Sequence, residues 1–406
     1  MKIPNSQITP DVWYVGVNDR VSGIFERMWP LPYGVSYNSY LITDEQVTLL
    51  DTVESAFFEL FLKQIKGILG ERPIDYLIIN HMEPDHSGSI GMLCREYPQM
   101  KLVGNKKTFN MLAGYYPELS NERVVVDDGH TLSIGQRTLQ FITAPMVHWP
   151  EVMFTYSAYD KILFSADAFG TFGTLDGNIF DRDCCPDHYF EEMYRYYACI
   201  VGKFGPFVQK VLAKVLAMNI PIDYVCSLHG PIWTAAHFPK ALGIYDQLSK
   251  YESQKGAVIL YGSMYGNTAV PADIIARSLA AEGIKHIVCY DLSTSNPSFV
   301  LRDVFRYRAV IVGAPTYCMD IFPPVKEMME KFAMRDIKDR LLGVFGSYSF
   351  AGQATKKLTA YADTLKWELV GTPLDQLGAT GEDDAQKAIH LGRAVAKRLH
   401  ELYPEE

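Results

Sequence analysis

The sequence predicts a two-domain chain: an α+β unit with two sheets flanked by helices, then an α/β unit built on one doubly wound parallel sheet. Three observations carry this expectation. At 406 residues the chain exceeds what a single hydrophobic core usually organises. Its first two-thirds read as short strand-length apolar segments separated by loops, with few helical stretches. After Lys250 the pattern changes to strands and helices alternating at regular spacing, as βα units do.

In the first part, strands are expected at 12–16, 37–43, 47–51, 76–80, 101–104 and 139–144, each rich in Val, Ile, Leu, Tyr or Phe. Similar runs occupy 161–165 and 224–227. Helical patterns occur at 57–69 and at 191–218. In the second part, strands are expected at 257–261, 286–290, 309–312, 342–345 and 368–370, with helical stretches between them and a last helix over 384–402. Five such units give a five-stranded parallel sheet covered on both faces. The boundary falls at 250–256, giving domains 1–250 and 256–406. There is no internal repeat and no low-complexity tract.

Composition narrows the function. The chain is 48% hydrophobic and 21% charged, as in a soluble globular protein. Its net charge is −9, from 47 acidic and 38 basic residues. No Lys/Arg cluster offsets this, so neither nucleic acid nor an anionic membrane surface is an expected partner. Neither a signal peptide nor a membrane-spanning run is expected. The seven cysteines include no Cys-x-x-Cys pair; Cys184 and Cys185 are merely adjacent. A disulfide framework, a zinc ribbon and a built-in rubredoxin-type iron site are therefore not expected, and a reducing cytoplasm fits.

The most informative segment is His81-Met-Glu83-Pro-Asp85-His86, which directly follows the apolar run 76–79. His148, Asp167 and His229 each follow a strand-like run in the same manner. Loops leaving strand ends hold ligands firmly while leaving coordination positions open. His81 and Glu83, two residues apart, point to the same side of an extended segment. Asp85 and His86 then serve a second ion, and Asp167 is the natural bridge because a carboxylate has two oxygens. His148 and His229 complete one ion each. Taken singly, each residue is more simply a cap, a turn former or a surface group, and Asp85-His86 could cap a helix near Ser89. That explanation must be invoked independently seven times.

The order His81-x-Glu83-x-Asp85-His86, His148, Asp167, His229 resembles the metallo-β-lactamase superfamily, whose zinc members ordinarily carry histidine where Glu83 stands. With Glu83 the resemblance moves to the flavodiiron proteins, or A-type flavoproteins. It implies an αββα sandwich for the first domain and two non-haem irons held by these seven residues. Carboxylate-rich, imidazole-containing sites suit iron that changes oxidation state, whereas zinc offers no redox chemistry. Ser36-Tyr37-Asn38-Ser39-Tyr40 and His148-Trp149 resemble the family too. Among Tyr194, Tyr196 and Tyr197, the resemblance implies one tyrosine near the metals. Tyr197 is the expected hydrogen-bond or proton donor, with Tyr194 and Tyr196 assigned to the core.

The second domain offers three loops at strand ends. Ser263-Met264-Tyr265-Gly266-Asn267-Thr268 joins a strand to a helix. Its backbone N–H groups and the Ser263 and Thr268 hydroxyls can surround a phosphate dianion, and Pro271 suits the first helical turn. It matches neither the Gly-Lys-Ser/Thr ending of a P-loop nor a dinucleotide Gly-x-Gly-x-x-Gly. Pro315-Thr316-Tyr317-Cys318 and Ser347-Tyr348-Ser349-Phe350-Ala351-Gly352 follow the third and fourth strands. They offer free backbone groups for a flavin's polar edge, with Tyr317 or Tyr348 to flank the ring. The segment 256–406 resembles flavodoxin, which holds FMN at these strand ends.

The resemblance covers essentially the full chain. It implies an oxidoreductase that passes electrons from FMN to a diiron centre and reduces dioxygen to water, nitric oxide to nitrous oxide, or both. It also implies a head-to-tail homodimer or a dimer of dimers. Electrons would come from a separate donor, a rubredoxin-like protein or a reduced flavin-type coenzyme. The alternatives are a dinuclear zinc hydrolase with an accessory flavodoxin domain, disfavoured by Glu83, and an electron carrier with a degenerate metal site.

Overall fold

The structure is a computed structural model that describes residues 4–404. The chain divides into two compact units, one ending at Asp246 and the other beginning at Gln247.

The first unit contains two large sheets. One runs Gln7–Thr9, Val12–Tyr14, Tyr40–Thr43, Val47–Leu50, Tyr76–Ile78, Lys101–Gly104, Arg123–Val125. Pairing is antiparallel up to Val47–Leu50 and parallel beyond it. The other runs Thr131–Ser133, Thr138–Thr143, Met153–Ser157, Ile162–Phe164, Tyr224–Cys226, Trp233–Thr234. Every residue of Val47–Leu50, Met153–Ser157 and Ile162–Phe164 is buried, as stacked sheets with helices outside require. Helix Phe58–Leu69 shows how a helix joins this arrangement. Phe61, Ile65 and Leu69 recur every four residues on its buried stripe, and Gly70 ends it at φ 61°. Each such side chain contributes about 1.5–3 kcal/mol when removed from water.

Two expected elements are broken. The segment 191–218 is not one helix but helix Pro186–Tyr196, a π-helical turn Tyr197–Val201, a tight turn Gly202–Phe204, and helix Gly205–Ala217. Pro206 is the reason: without an N–H it cannot continue a helix, but it fits the first turn of a new one. The segment 37–43 is likewise two strands. Val35–Tyr37 pairs with Val17–Asp19 in a separate ribbon, and only Tyr40–Thr43 joins the large sheet. Between them the Asn38 amide donates to the carbonyls of Ser227 and Gly230, and the Ser39 hydroxyl reaches those of Leu50 and Asp51. These bonds draw the backbone out of a regular ladder.

The second unit has the parallel order Ile287–Asp291, Gln254–Tyr261, Tyr307–Tyr317, Leu341–Tyr348, Glu368–Leu369. The expected fifth strand is interrupted: after Gly371 (φ 74°) and Pro373 the sheet resumes as Leu374–Leu377, parallel to the same neighbour. On one face Ile275, Leu279, Leu391, Val395 and Leu399 from helices Ala269–Ala281 and Glu382–Leu402 form a core with Ile259 and Ile311. Helices Pro297–Arg306 and Pro323–Met334 pack on the sheet through Val300, Leu301, Val304, Val325 and Phe332. The first strand in sequence lies between the second and third, so a crevice forms at its carboxyl end. Among the described residues no helix is long and apolar enough to cross a membrane.

Candidate metal centre and flavin loops

The strand Tyr76–Ile78 delivers its chain to Asn80 and His81, where the buried Asp51 carboxylate fixes the turn. Asp51 accepts hydrogen bonds from Asn80 N (2.7 Å), Asn80 Nδ2 (2.8 Å) and His81 N (3.1 Å). A one-turn helix, Pro84–Ser87, then carries Asp85 and His86, both buried. His148, Asp167 and His229 arrive from loops of the second sheet, after strands Thr138–Thr143, Ile162–Phe164 and Tyr224–Cys226.

The seven residues fall into two groups. His81, Glu83, His148 and Asp167 form one, and Asp85, His86 and His229 the other; within each, the candidate ligand atoms lie within 4.8 Å of one another. Asp167 links them. Its Oδ2 is 3.0 Å from His148 Nε2 and 3.5 Å from His81 Nε2, while its Oδ1 is 3.3 Å from His86 Nε2 and 3.8 Å from His229 Nε2. Glu83 Oε2 lies 3.0 Å from His148 Nε2, and Asp85 Oδ2 lies 3.1 Å from His86 Nε2. All four histidines therefore point Nε2 inward.

Burial, the largest influence on these imidazoles, disfavours their charged form, yet the surrounding carboxylates reverse it. Asp167, Glu151 and Glu83 hold His81 well above its ordinary pKa. Carboxylates likewise push His86 to about 10 and His148 to about 9. Burial also works against the ionised Asp85 and Asp167, but the imidazoles outweigh it and hold both below the usual carboxylate range. The cage thus demands positive charge at its centre. Asp85 Oδ1 is buried and receives no hydrogen bond, so protons on the histidines do not complete the site. Two cations placed between these donors satisfy both conditions, and the mixed imidazole–carboxylate donor set suits iron.

Glu151, which no motif marked, and Ser36 of the 36–40 pattern orient the cage. His81 Nδ1 meets Glu151 Oε1 at 2.8 Å, and His229 Nδ1 meets the Ser36 carbonyl at 2.8 Å; each contact leaves Nε2 for the centre. Gly230 follows with φ 77°, where a Cβ would stand 2.1 Å from Thr171 Oγ1. Glu151 lies three residues after His148, a faint signal in a lone acid. The neighbouring Tyr196 and Tyr197 face different rings. Tyr196 has its ring against His229, 5.3 Å between centroids, and its buried hydroxyl has no hydrogen-bond partner among the described residues. Tyr197 turns its ring onto Tyr245 at 5.1 Å, because consecutive helical residues diverge by about 100°. Glu83 and Asp85 also line an open groove of about 790 Å³ with Phe25, Glu26, Tyr37 and Glu54.

In the second unit the three expected segments meet at the sheet's carboxyl end. Thr268 precedes helix Ala269–Ala281 without capping it; its buried hydroxyl lies 2.8 Å from Ser347 Oγ. Ser263 Oγ accepts from Gly266 N at 3.0 Å, and Gly266 has φ 91°. The Asn267 carbonyl accepts from Gln376 Nε2. Two segments are strand ends rather than loops, because pairing continues to Pro315 opposite Ser347. Thr316 Oγ1 then accepts from Gln353 N and Ala354 N, tying the second segment to the one carrying Ser349, Phe350 and Gly352. Cys318 and Met319 turn the hairpin at φ 47° and 59°, a conformation unusual for these residue types. Around this end Met264, Tyr265, Tyr317 and Phe350 are exposed, Tyr265 by 89% and Phe350 by 91%. Hydroxyls at a helix N-terminus beside exposed aromatic rings fit a phosphate-bearing, planar cofactor.

Comparison with known proteins agrees with this geometry. Residues 35–230 match the ODP family beta lactamase description, and residues 259–392 match flavodoxin. A nitric oxide reductase of Moorella thermoacetica is 30% identical over 97% of this chain and 98% of its own length. The fold superposes on rubredoxin oxygen:oxidoreductase from Desulfovibrio gigas with a TM-score of 0.93 at 27% identity, covering 97% of this chain and 98% of that one. It also superposes on the flavodiiron protein of Giardia intestinalis, with a TM-score of 0.92 at 28% identity over 98% and 97%. Fold and site define a metallo-β-lactamase-like domain joined to a flavodoxin domain. The chain belongs to the flavodiiron protein family.

Proposed function

We propose that this flavodiiron protein is an oxidoreductase that reduces dioxygen to water, nitric oxide to nitrous oxide, or both, with electrons passed from FMN to a non-haem diiron centre. The observation that carries the reading is the Asp167 carboxylate, with one oxygen in each ligand group, in a chain that also has a flavodoxin domain. When bound, the two irons supply electrons and open coordination positions for the gas, while FMN takes up electrons from a donor and passes them on.

The chain's own residues have distinct tasks. His81, Glu83 and His148 would hold one iron, Asp85, His86 and His229 the other, and Asp167 both. Glu151 and the Ser36 carbonyl fix the orientation of His81 and His229. Tyr196 presents a phenol ring to His229 of the second group. For FMN, Ser263, Thr268 and the N–H groups of 264–267 would take the phosphate. Residues 315–318 and 347–352 would take the ring, with Tyr317 or Tyr348 flanking it. The division of labour puts metal chemistry in 1–250 and flavin in 256–406.

The donor we propose is a separate rubredoxin-like protein or a reduced flavin-type coenzyme. The assembly is a head-to-tail homodimer or a dimer of dimers, and the location is the cytoplasm. Iron, zinc and FMN content of anaerobically purified protein, followed by stopped-flow mixing of the reduced protein with each gas, tests the reading. Near two irons and one FMN per chain, with rapid gas turnover, is the expected result. Zinc retained after iron-supplemented expression, or flavin reoxidation without gas turnover, would overturn it.

A further inference from the structure

Beside the metal centre lies an apolar cavity of about 170 Å³. Its inner wall includes Val147, Ala168 and Phe169, the immediate sequence neighbours of His148 and Asp167. These three are 1%, 4% and 3% exposed. Tyr245 closes the same wall, with its hydroxyl 3.4 Å from the Asp167 carbonyl. The outer wall comes from helix Gly205–Ala217, which contributes Val215 and the largely exposed Leu216. A single apolar space thus reaches from the backbone that carries two candidate ligands toward the surface of this helix.

We infer that this cavity is a reservoir and entry route by which a small apolar gas reaches the metal centre. The inference rests on the gas-reductase reading above and adds a path to it. Chemistry selects the occupant. The lining is almost wholly aliphatic and aromatic, so an ion or a polar substrate would lose hydration there without gaining partners. The volume is close to that of an engineered apolar cavity of about 150 Å³ that stays dry and takes up xenon or benzene. Dioxygen and nitric oxide are smaller than benzene and, like xenon, dissolve better in apolar surroundings than in water. The open groove beside Glu83 and Asp85 carries Glu26, Arg27 and Glu54 as well, so water and protons have an approach of their own.

The test uses the iron- and FMN-loaded protein. Crystals pressurised with xenon should show xenon between Val147, Phe169 and Val215. Val215→Phe, a change at the half-buried outer wall, should exclude xenon. It should also lower the second-order rate of reoxidation by dioxygen about tenfold, the effect of a modest added barrier. Turnover at saturating gas, iron content, FMN content and the rate of FMN reduction by the donor should stay the same. Leu212→Phe at the same wall serves if Val215→Phe does not fold, and xenon pressure should slow the wild-type reaction without any substitution. Absence of xenon from the cavity, or an unchanged gas rate in a variant that excludes it, would make the space a packing void and overturn the proposal. A change of oligomeric state in the variants would assign the wall to an interface and overturn it equally. Failure of the loaded wild type to reduce either gas is a different result, because it removes the reductase reading itself.

Discussion

Glu151→Gln is the perturbation that best separates charge from shape at the metal centre. Glu151 Oε1 accepts from His81 Nδ1 at 2.8 Å and from Met82 N at 2.9 Å, and the residue is fully buried. A glutamine oxygen can accept both bonds in the same place, so His81 keeps its orientation and its Nε2 still faces the centre. What is lost is one negative charge behind the ring, and with it part of the imidazole's basicity as a ligand. Loss of such an outer partner typically costs about 10–100-fold in metal affinity, or about 1.4–2.7 kcal/mol. Because the candidate ligand that the Glu151 carboxylate bonds is His81, the loss should fall on the ion held by His81, Glu83 and His148. The ion held by Asp85, His86 and His229 should keep its affinity. There is a separate cost to folding: Glu151 Oε2 is buried without a partner, and the amide NH₂ that replaces it would lack an acceptor, at about 1–3 kcal/mol. Chelator competition followed by Mössbauer spectroscopy reads the two irons individually, and denaturation of the metal-free protein reads the folding cost. Equal weakening of both irons, or no weakening in a folded variant, would refute the reasoning.

Other substitutions test other links. Asp167→Ala removes a carboxylate that reaches both ligand groups, so gas reduction should be abolished while FMN stays bound; normal turnover with iron retained would reject the bridging assignment. Thr268→Val keeps the shape but removes the hydroxyl beside Ser347, and should weaken FMN by about 1.5–3 kcal/mol, the worth of a hydrogen bond to a charged group. Iron content should not change, and an equilibrium dialysis showing wild-type FMN affinity would move the phosphate elsewhere. Asp44→Asn tests the buried ion pair in which Asp44 Oδ2 lies 3.0 Å from Arg137 Nη1. Burial raises the Asp44 pKa, but hydrogen bonds from Gln136 N, Glu45 N and Arg137 outweigh this and leave it below the ordinary value. A lowered folded-state pKa adds stability above the unfolded-state pKa of about 3.9, and that stability is lost as pH falls through the folded value. The stability gap between wild type and variant should therefore be full at neutral pH and close on acidification below about pH 4. A gap that stays constant from neutral to strongly acidic pH in urea titrations would sink the linkage.

The sequence carried a large part of this protein because its information is local there. An apolar run followed by His81, Glu83, Asp85 and His86 is legible since strand ends and ligand spacing lie within a few residues. The flavin segment 263–268 is legible for the same reason, as are the amphipathic helices and the change of rhythm near residue 250. Pro206 was visible too, but an apolar pattern continuing across 191–218 concealed the break it causes. Tertiary contacts decided the rest. Glu151 is seventy residues from His81, and Ser36 almost two hundred from His229, so no spacing announces either pair. The contact of Tyr196 with His229 depends on the rotation of one helix against that ring. The division of seven ligands into two groups sharing Asp167 depends on where two separate sheets place their loops. Chemistry was written in residue types and short spacings, whereas orientation and the cavity beside the centre are properties of packing between distant segments, which a linear pattern does not encode.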